Sequence, residues 1–358
     1  MTSRERLRLG FRHGIPDRLP MMDSYWNETL DRWKTEGIPA DFTMSSLRQF
    51  FGLERTHVVG CDHTYRLPHK VLEENDTFVI THNSMGMVQK AFKNHAGAPA
   101  YLDHLIKSKA DWEKHRPLIS PKTAPDRVPE GELQTNLEEA KAGAFSGLYF
   151  ADPIWTLFHS CGFENGLIMM IEDPEWAAEV VMAFTELEVA WCEELIRCGF
   201  VVDGILVYGD IAGNNGPFFS PDAFDQVLAP AYRLLFGFAR SHDWTGMLHS
   251  DGDVRPFMSR IADCGIDALH PFDSRAGMDV RELKPIHGDR LTFVGNISKD
   301  AMAGSKDQIE EEVKTKLEVA MVGGGYVYHS DHSVPPSVSL ENYVFTLECV
   351  RRYGVYRS

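Results

Sequence analysis

Four short runs decide the fold: Gly204-Ile205-Leu206-Val207-Tyr208-Gly209-Asp210, Gly246-Met247-Leu248-His249-Ser250-Asp251-Gly252, Asp267-Ala268-Leu269-His270-Pro271 and Gly325-Tyr326-Val327-Tyr328-His329-Ser330-Asp331-His332. Each has an apolar, β-prone body, which is how a fully buried parallel strand reads, and each ends in polar residues. The segments between them show helical periodicity. Strand and helix therefore alternate. Polar clusters at the carboxyl ends of successive strands predict a (β/α)8 TIM barrel, because that face is where such barrels assemble their sites.

Working outward, Thr2 to His13 opens with a Ser/Thr cap and reads as a short helical extension on the outside or bottom of the barrel. Gly14-Ile15-Pro16-Asp17-Arg18 breaks it, and Leu19-Pro20-Met21-Met22-Asp23 reads as the first strand. From Thr56 to Lys90 the pattern turns to β-branched alternation, with Val58-Val59, Val71-Leu72, Thr77 to Ile80 and Met85 to Val88 as antiparallel hairpins. That predicts an insert at about 56–90 covering part of the mouth. Gly147 to Asp152 and Leu291 to Asn296 supply two more strands, which brings the barrel to seven and leaves the eighth without a place. Pro117 to Glu130, with four prolines, is the most linker-like segment and is too short to divide domains. A single domain over 1–358 is the expectation.

Composition narrows the function classes. Thirty-six Lys and Arg against 52 Asp and Glu give −16, which repels phosphate backbones, so nucleic acid is not an expected partner. A hydrophobic fraction of 43% suits a sizeable core. Six scattered cysteines without a CxxC pair read as reduced thiols. No apolar run approaches bilayer length, so no membrane is expected and the cytoplasm is the expected compartment.

At the strand ends, His249 and Asp251 stand two apart, and residues at i and i+2 of a strand point the same way. Imidazole and carboxylate together suit zinc or another first-row divalent ion, and His332, closing the last run, completes a candidate metal set. Most histidines are structural, and position is what singles these out. Asp210 and Tyr208 end a neighbouring strand as candidate acid/base or ligand-orienting groups, with a loop-tying aspartate as the plain alternative. His270 is a further catalytic candidate. Candidate substrate contacts are Asp23, Trp26, Asn27, Trp155, Asn214 and His329, with core packing the commoner use of such aromatics. Gly323-Gly324-Gly325 reads as a helix end rather than a phosphate loop.

The ordered motifs Pro16-Asp17-Arg18, Tyr208-Gly209-Asp210, Phe219-Ser220-Pro221, His249-Ser250-Asp251-Gly252, Ala276-Gly277-Met278-Asp279 and Gly323 through His332 to Glu341-Asn342 resemble the uroporphyrinogen decarboxylase superfamily. The resemblance implies a TIM barrel and one of two chemistries, porphyrinogen decarboxylation or zinc-dependent methyl transfer with corrinoid proteins. Fold membership does not choose between them. The decarboxylases carry an Arg-Gln-Ala-Gly-Arg-Tyr stretch where this chain reads Met22-Asp23-Ser24-Tyr25-Trp26, although His332 matches the histidine of their last-strand motif. The thiol-methylating members bind zinc through His-x-Cys and a later Cys. His249 matches their histidine, while Asp251 and His332 stand at or near the cysteines. A site with nitrogen and oxygen ligands is the harder Lewis acid, which suits an ether or alcohol better than a thiolate. The resemblance, which extends to Trp26-Asn27-Glu28-Thr29 and Arg32-Trp33, thus implies transfer of a methyl group from a methoxylated or other methylated small molecule to a corrinoid protein. Its partners are that donor and the corrinoid protein, with a homodimer as the candidate assembly. A decarboxylase, and a non-catalytic binder of a small ligand or corrinoid partner, are the alternatives.

Overall fold

The computed structural model describes residues 1–93 and 99–356. Its central sheet has seven strands, Thr56–Gly60, Phe145–Ala151, Gly204–Tyr208, Thr245–His249, Ala268–His270, Thr292–Val294 and Tyr326–Val327, side by side in chain order. Every pairing is parallel. The two edges of the sheet meet through residues 20–22. Met22 N–H donates to the Tyr328 carbonyl (2.8 Å), Tyr328 N–H to the Pro20 carbonyl (2.9 Å) and Glu54 N–H to the Met21 carbonyl (2.8 Å), with Met21 and Tyr328 in parallel register. The fold is the expected TIM barrel, and the first predicted strand is its closing seam.

The eighth strand lies where the insert was expected to begin. Thr56–Gly60 pairs parallel with Phe145–Ala151 and is a barrel stave, so the antiparallel reading of Val58-Val59 is corrected. The insert proper is a four-stranded antiparallel sheet of Lys70–Glu74, Phe78–His82, Val88–Phe92 and Ala100–Asp103. It thus begins later and ends later than 56–90. Met85 to Met87 form a turn, tied by their N–H groups to Asn83 Oδ1 at Met85 and Met87, rather than strand.

The N-terminal helix, Ser3–Phe11, starts on a capping box between Thr2 and Glu5. It closes the bottom of the barrel. Leu7 and Phe11 pack with Ala268, Val294 and Val327, and Met22, Phe145 and Met247 lean on the same cluster. Arginines on the helix meet carboxylates that the barrel bottom has buried: Arg4 and Arg8 reach Asp203 at 2.8 and 2.9 Å, and Arg6 reaches Glu54 at 2.8 Å. A buried carboxylate needs such partners, which explains the alternation of Arg and Leu in this stretch.

The proline-rich segment is folded down rather than left as a linker. It forms a series of 3-10 turns from Arg116 to Glu132, pinned by buried Arg127, whose guanidinium donates to the carbonyls of Asp62, Thr64 and Leu118. Trp191 Nε1 on the long Pro174–Cys198 helix donates to the Arg127 carbonyl at 3.0 Å. No helix among the described residues is long and apolar enough to cross a membrane.

Candidate active site

Strand register puts Tyr208, His249 and His270 in one row at the carboxyl ends of three neighbouring staves. Backbone bonds extend that alignment into the loops: Gly209 N–H donates to the His249 carbonyl (3.2 Å) and Ser250 N–H to the His270 carbonyl (2.9 Å). Asp251 N–H then donates to Asp210 Oδ1 at 2.8 Å. The Asp210, His249 and Asp251 ligand atoms consequently lie within 4.8 Å of one another.

His249 is buried and held on both sides. Its ring stacks on Tyr208 with centroids 4.0 Å apart, and its Nδ1 shares a hydrogen bond of 2.6 Å with His270 Nδ1. Burial pushes its pKa down to about 4, so the ring is neutral at neutral pH. With Nδ1 as the donor to His270, Nε2 keeps a free lone pair, the form that ligates metals. That Nε2 is buried without a hydrogen-bond partner, and so is Asp251 Oδ1. Two orphaned acceptors, one imidazole and one carboxylate, facing the Asp210 carboxylate fit a divalent cation, which satisfies all three at once.

Asp210 is pushed up to about 6, first by burial and also by the neighbouring Asp251 charge. Burial acts the same way on Asp251, yet its hydrogen bond from His332 and the nearby imidazoles hold its pKa below the usual value. The two carboxylates are thus driven apart, the pattern that separates a proton carrier from a permanent anion. His332 Nε2 lies 3.4 Å from Asp251 Oδ2, and this hydrogen bond raises its pKa. Its other face stacks on Trp26 at 5.9 Å.

The trio brought together differs from the sequence expectation in one member. Asp210 stands with His249 and Asp251, while His332 sits one contact further out, on Asp251. The reason lies in the last loop, where the single Ser330 hydroxyl proton is shared between the His332 carbonyl and Asp23 Oδ1, each 2.5 Å from Oγ, turning the chain so that the imidazole meets a carboxylate oxygen. Asp23 is buried inward of that loop and also accepts from the Tyr328 and Tyr343 hydroxyls at 3.2 and 3.1 Å. The geometry makes it an anchor of the seam rather than an exposed substrate contact. His329 is buried too, edge-on to His270 at 4.4 Å with Nδ1 on the Ser330 carbonyl. Trp155 buttresses the site by donating Nε1–H to the Asp210 carbonyl at 2.9 Å. Asn27 is exposed in the first turn of the Asn27–Glu36 helix, and Asn214 is exposed at the tip of the hairpin formed by Ala212–Gly213 and Gly216–Pro217.

Asp331 is a residue that the sequence pattern does not single out. It is fully buried and accepts from the Ser274 hydroxyl, from Lys299 N–H at 2.9 Å and from Lys299 Nζ at 3.4 Å. The signal was its place between Ser330 and His332, where a carboxylate is costly to bury without such a set.

A family model described as uroporphyrinogen decarboxylase (URO-D) matches residues 77–353, and this chain belongs to that family. Among curated relatives, the methylcobamide:CoM methyltransferase MtaA of Methanosarcina barkeri is 32% identical over 160 residues, 44% of this chain and 43% of that one. The uroporphyrinogen decarboxylase of Geobacter metallireducens is 23% identical over 189 residues, 51% of each. The chain thus spans about half the length of the curated relatives it matches. A methyltransferase structure from Methanosarcina mazei superposes over 98% of both chains with a TM-score of 0.63 at 19% identity, a likeness of fold.

Proposed function

We propose that this protein moves a methyl group from a methoxylated or otherwise methylated small molecule to the cobalt of a corrinoid carried by a separate protein. The observation that supports this most directly is the pair of orphaned buried acceptors, His249 Nε2 and Asp251 Oδ1, opposite Asp210 in a family with a corrinoid methyltransferase among its members. His249, Asp251 and Asp210 would hold zinc or a similar ion, which supplies a Lewis acid for the departing oxygen. His332 takes the supporting place on Asp251.

Loss of the methyl group leaves the C–O electron pair on the donor's oxygen, and the residues here answer that charge. Asp210, raised by burial and by the Asp251 charge, would be held as the anion once it serves as a ligand, so its part is to complete the set that answers the charge on that oxygen rather than to donate a proton. Tyr208 and His270 keep the His249 ring in one plane. His332 keeps Asp251 charged and oriented. Stabilisation that appears only as charge develops is what lowers the barrier.

The test is elemental analysis of protein purified without chelator, followed by methyl transfer from an ether to a supplied corrinoid protein, read from the cobalt absorbance. A stoichiometric divalent ion that is lost in His249→Ala, with transfer lost in parallel, is the expected result. Absence of metal after zinc is added, or release of carbon dioxide from a carboxylate substrate without corrinoid methylation, would overturn the reading.

A further inference from the structure

The barrel interior is filled on one side and open on the other. Inward residues alternate along each stave, and register places Gly60, Tyr149 and Leu206 in one row, with Val58, Gly147 and Gly204 in the row beneath. In a packed barrel these rows are buried by bulky side chains. Here Val58 is 49% exposed, Tyr149 37% and Tyr208 45%. A Cβ at Gly60 would meet nothing within 4 Å and one at Gly147 only two carbonyl oxygens at 4.0 Å, whereas at Gly204 the row is already closed, with the Thr245 carbonyl oxygen 2.7 Å away. The opposite staves contribute Ala268, Val294 and Val327 to the closed cluster above the N-terminal helix. Below the open rows a mainly apolar cavity, lined by Val58, Leu206, Met247 and Phe145 with Thr56, His57 and Thr245 as its polar members, continues down to Phe11. No lysine, arginine, aspartate or glutamate lines it among the described residues.

The open side adjoins the candidate metal trio directly. Tyr208 stacks on His249 and lies 5.8 Å from Tyr149, ring to ring, so an apolar wall and the polar trio form two halves of one funnel. An anionic or cationic group in the lower half would find no lysine, arginine or carboxylate among the described residues to pair with. An apolar one gains by leaving water.

We propose that the methyl donor is an uncharged methyl ether whose aromatic or alkyl body lies inside the barrel against Val58, Tyr149 and Leu206, with its ether oxygen directed to His249 and Asp251. This rests on the function proposed above for its polar half, while the apolar half stands on the open rows. Binding of methoxybenzene and of methoxyacetate is measured by calorimetry and by quenching of intrinsic fluorescence, on full-length protein with and without added zinc. Methoxybenzene is expected to bind at least tenfold more tightly than methoxyacetate. Gly60→Leu, which fills the funnel without touching the trio, is expected to weaken it at least tenfold with metal content and circular dichroism unchanged, and Gly60→Ala to stay near wild type. Tighter binding of methoxyacetate, or undiminished methoxybenzene binding in a folded Gly60→Leu, overturns the inference. A protein that binds no zinc yet loses methoxybenzene binding in Gly60→Leu would keep the apolar funnel and sink only the metal-assisted methyl transfer.

Discussion

Two buried carboxylates behind the site set the pH response of the fold. Asp152 is fully buried, caps the Pro153–Cys161 helix and accepts from the Tyr232 hydroxyl. Burial raises its pKa to about 7, against about 3.9 for an unfolded aspartate. Between those values the folded chain keeps a proton that the unfolded chain has lost. Stability therefore falls as pH rises from about 4 to about 7, by up to ~1.4 kcal/mol per pH unit from this group. Glu188, buried with both carboxylate oxygens unpartnered, is raised as well, chiefly by burial and then by Asp152, and acts in the same direction. Asp152→Asn keeps an acceptor for Ile154 N–H and a polar partner for Tyr232 without the titration, so its urea midpoint should gain on wild type between pH 5 and pH 8; parallel midpoints at both values would contradict the assignment. Gly252 makes a steric demand in the loop that carries Asp251. Its φ is +83°, and a Cβ there would lie 2.6 Å from the Ala212 carbonyl oxygen. Gly252→Ala thus has to strain the backbone by ~1–2 kcal/mol and push the Ala212–Pro217 hairpin away. Weaker metal binding than wild type, measured by titration with zinc, is expected; unchanged affinity would show that the loop absorbs the displacement elsewhere.

Elements show why part of the fold was legible and part was not. Gly204–Tyr208 and Thr245–His249 present apolar runs because helices cover their outer faces and ligand-bearing side chains begin only at their ends. Thr56–Gly60 is a stave of the same sheet, yet His57-Val58-Val59-Gly60 reads as half-exposed alternation. The open funnel explains it: Val59 is buried under the outer layer while Val58, facing in, meets space. A barrel strand lining a cavity has the same pattern as a hairpin strand on a surface. In the site, His249, Asp251 and Asp210 were legible as strand-end residues, but which of Asp210 and His332 joins the first two depends on a turn fixed by Ser330 and Asp23, residues distant in sequence. The N-terminal helix carries its own prediction. Phe11 is 3% exposed and packs on Phe145 at 5.6 Å between ring centroids, plugging the barrel bottom. Phe11→Ala should cost about 3 kcal/mol or more, read as a lower urea midpoint with an unchanged slope. A loss well under 1 kcal/mol would mean that the helix is held by its arginines alone.

Over the whole molecule, closure depends on the short seam at residues 20–22, where regular strand pairing gives way to a few bonds. Met22, Tyr328 and Glu54 donate the backbone bonds that join the two edges. Asp23, next in the chain, gathers the Tyr328, Tyr343 and Ser330 hydroxyls behind them. The same Ser330 also holds the His332 turn, so the seam and the candidate site share a fastening. Asp23→Ala would leave the buried Tyr328 hydroxyl without an acceptor, at ~1–3 kcal/mol, and would reduce the Tyr343 and Ser330 hydroxyls to their remaining partners, the Tyr25 hydroxyl and the His332 carbonyl. Hydrogen exchange reads the consequence by position. In the wild-type protein the amides of Met22, Tyr328 and Glu54 should be as protected as those of the Gly204–Tyr208 and Thr245–His249 staves, because with the seam fastened by Asp23 the barrel opens as one unit. In Asp23→Ala the three seam amides should exchange faster than the central staves, and the His332 contact to Asp251 should loosen with them. Uniform acceleration of all staves would instead make the barrel a single cooperative unit with no weaker seam, and the proposed coupling between closure and the site would fall.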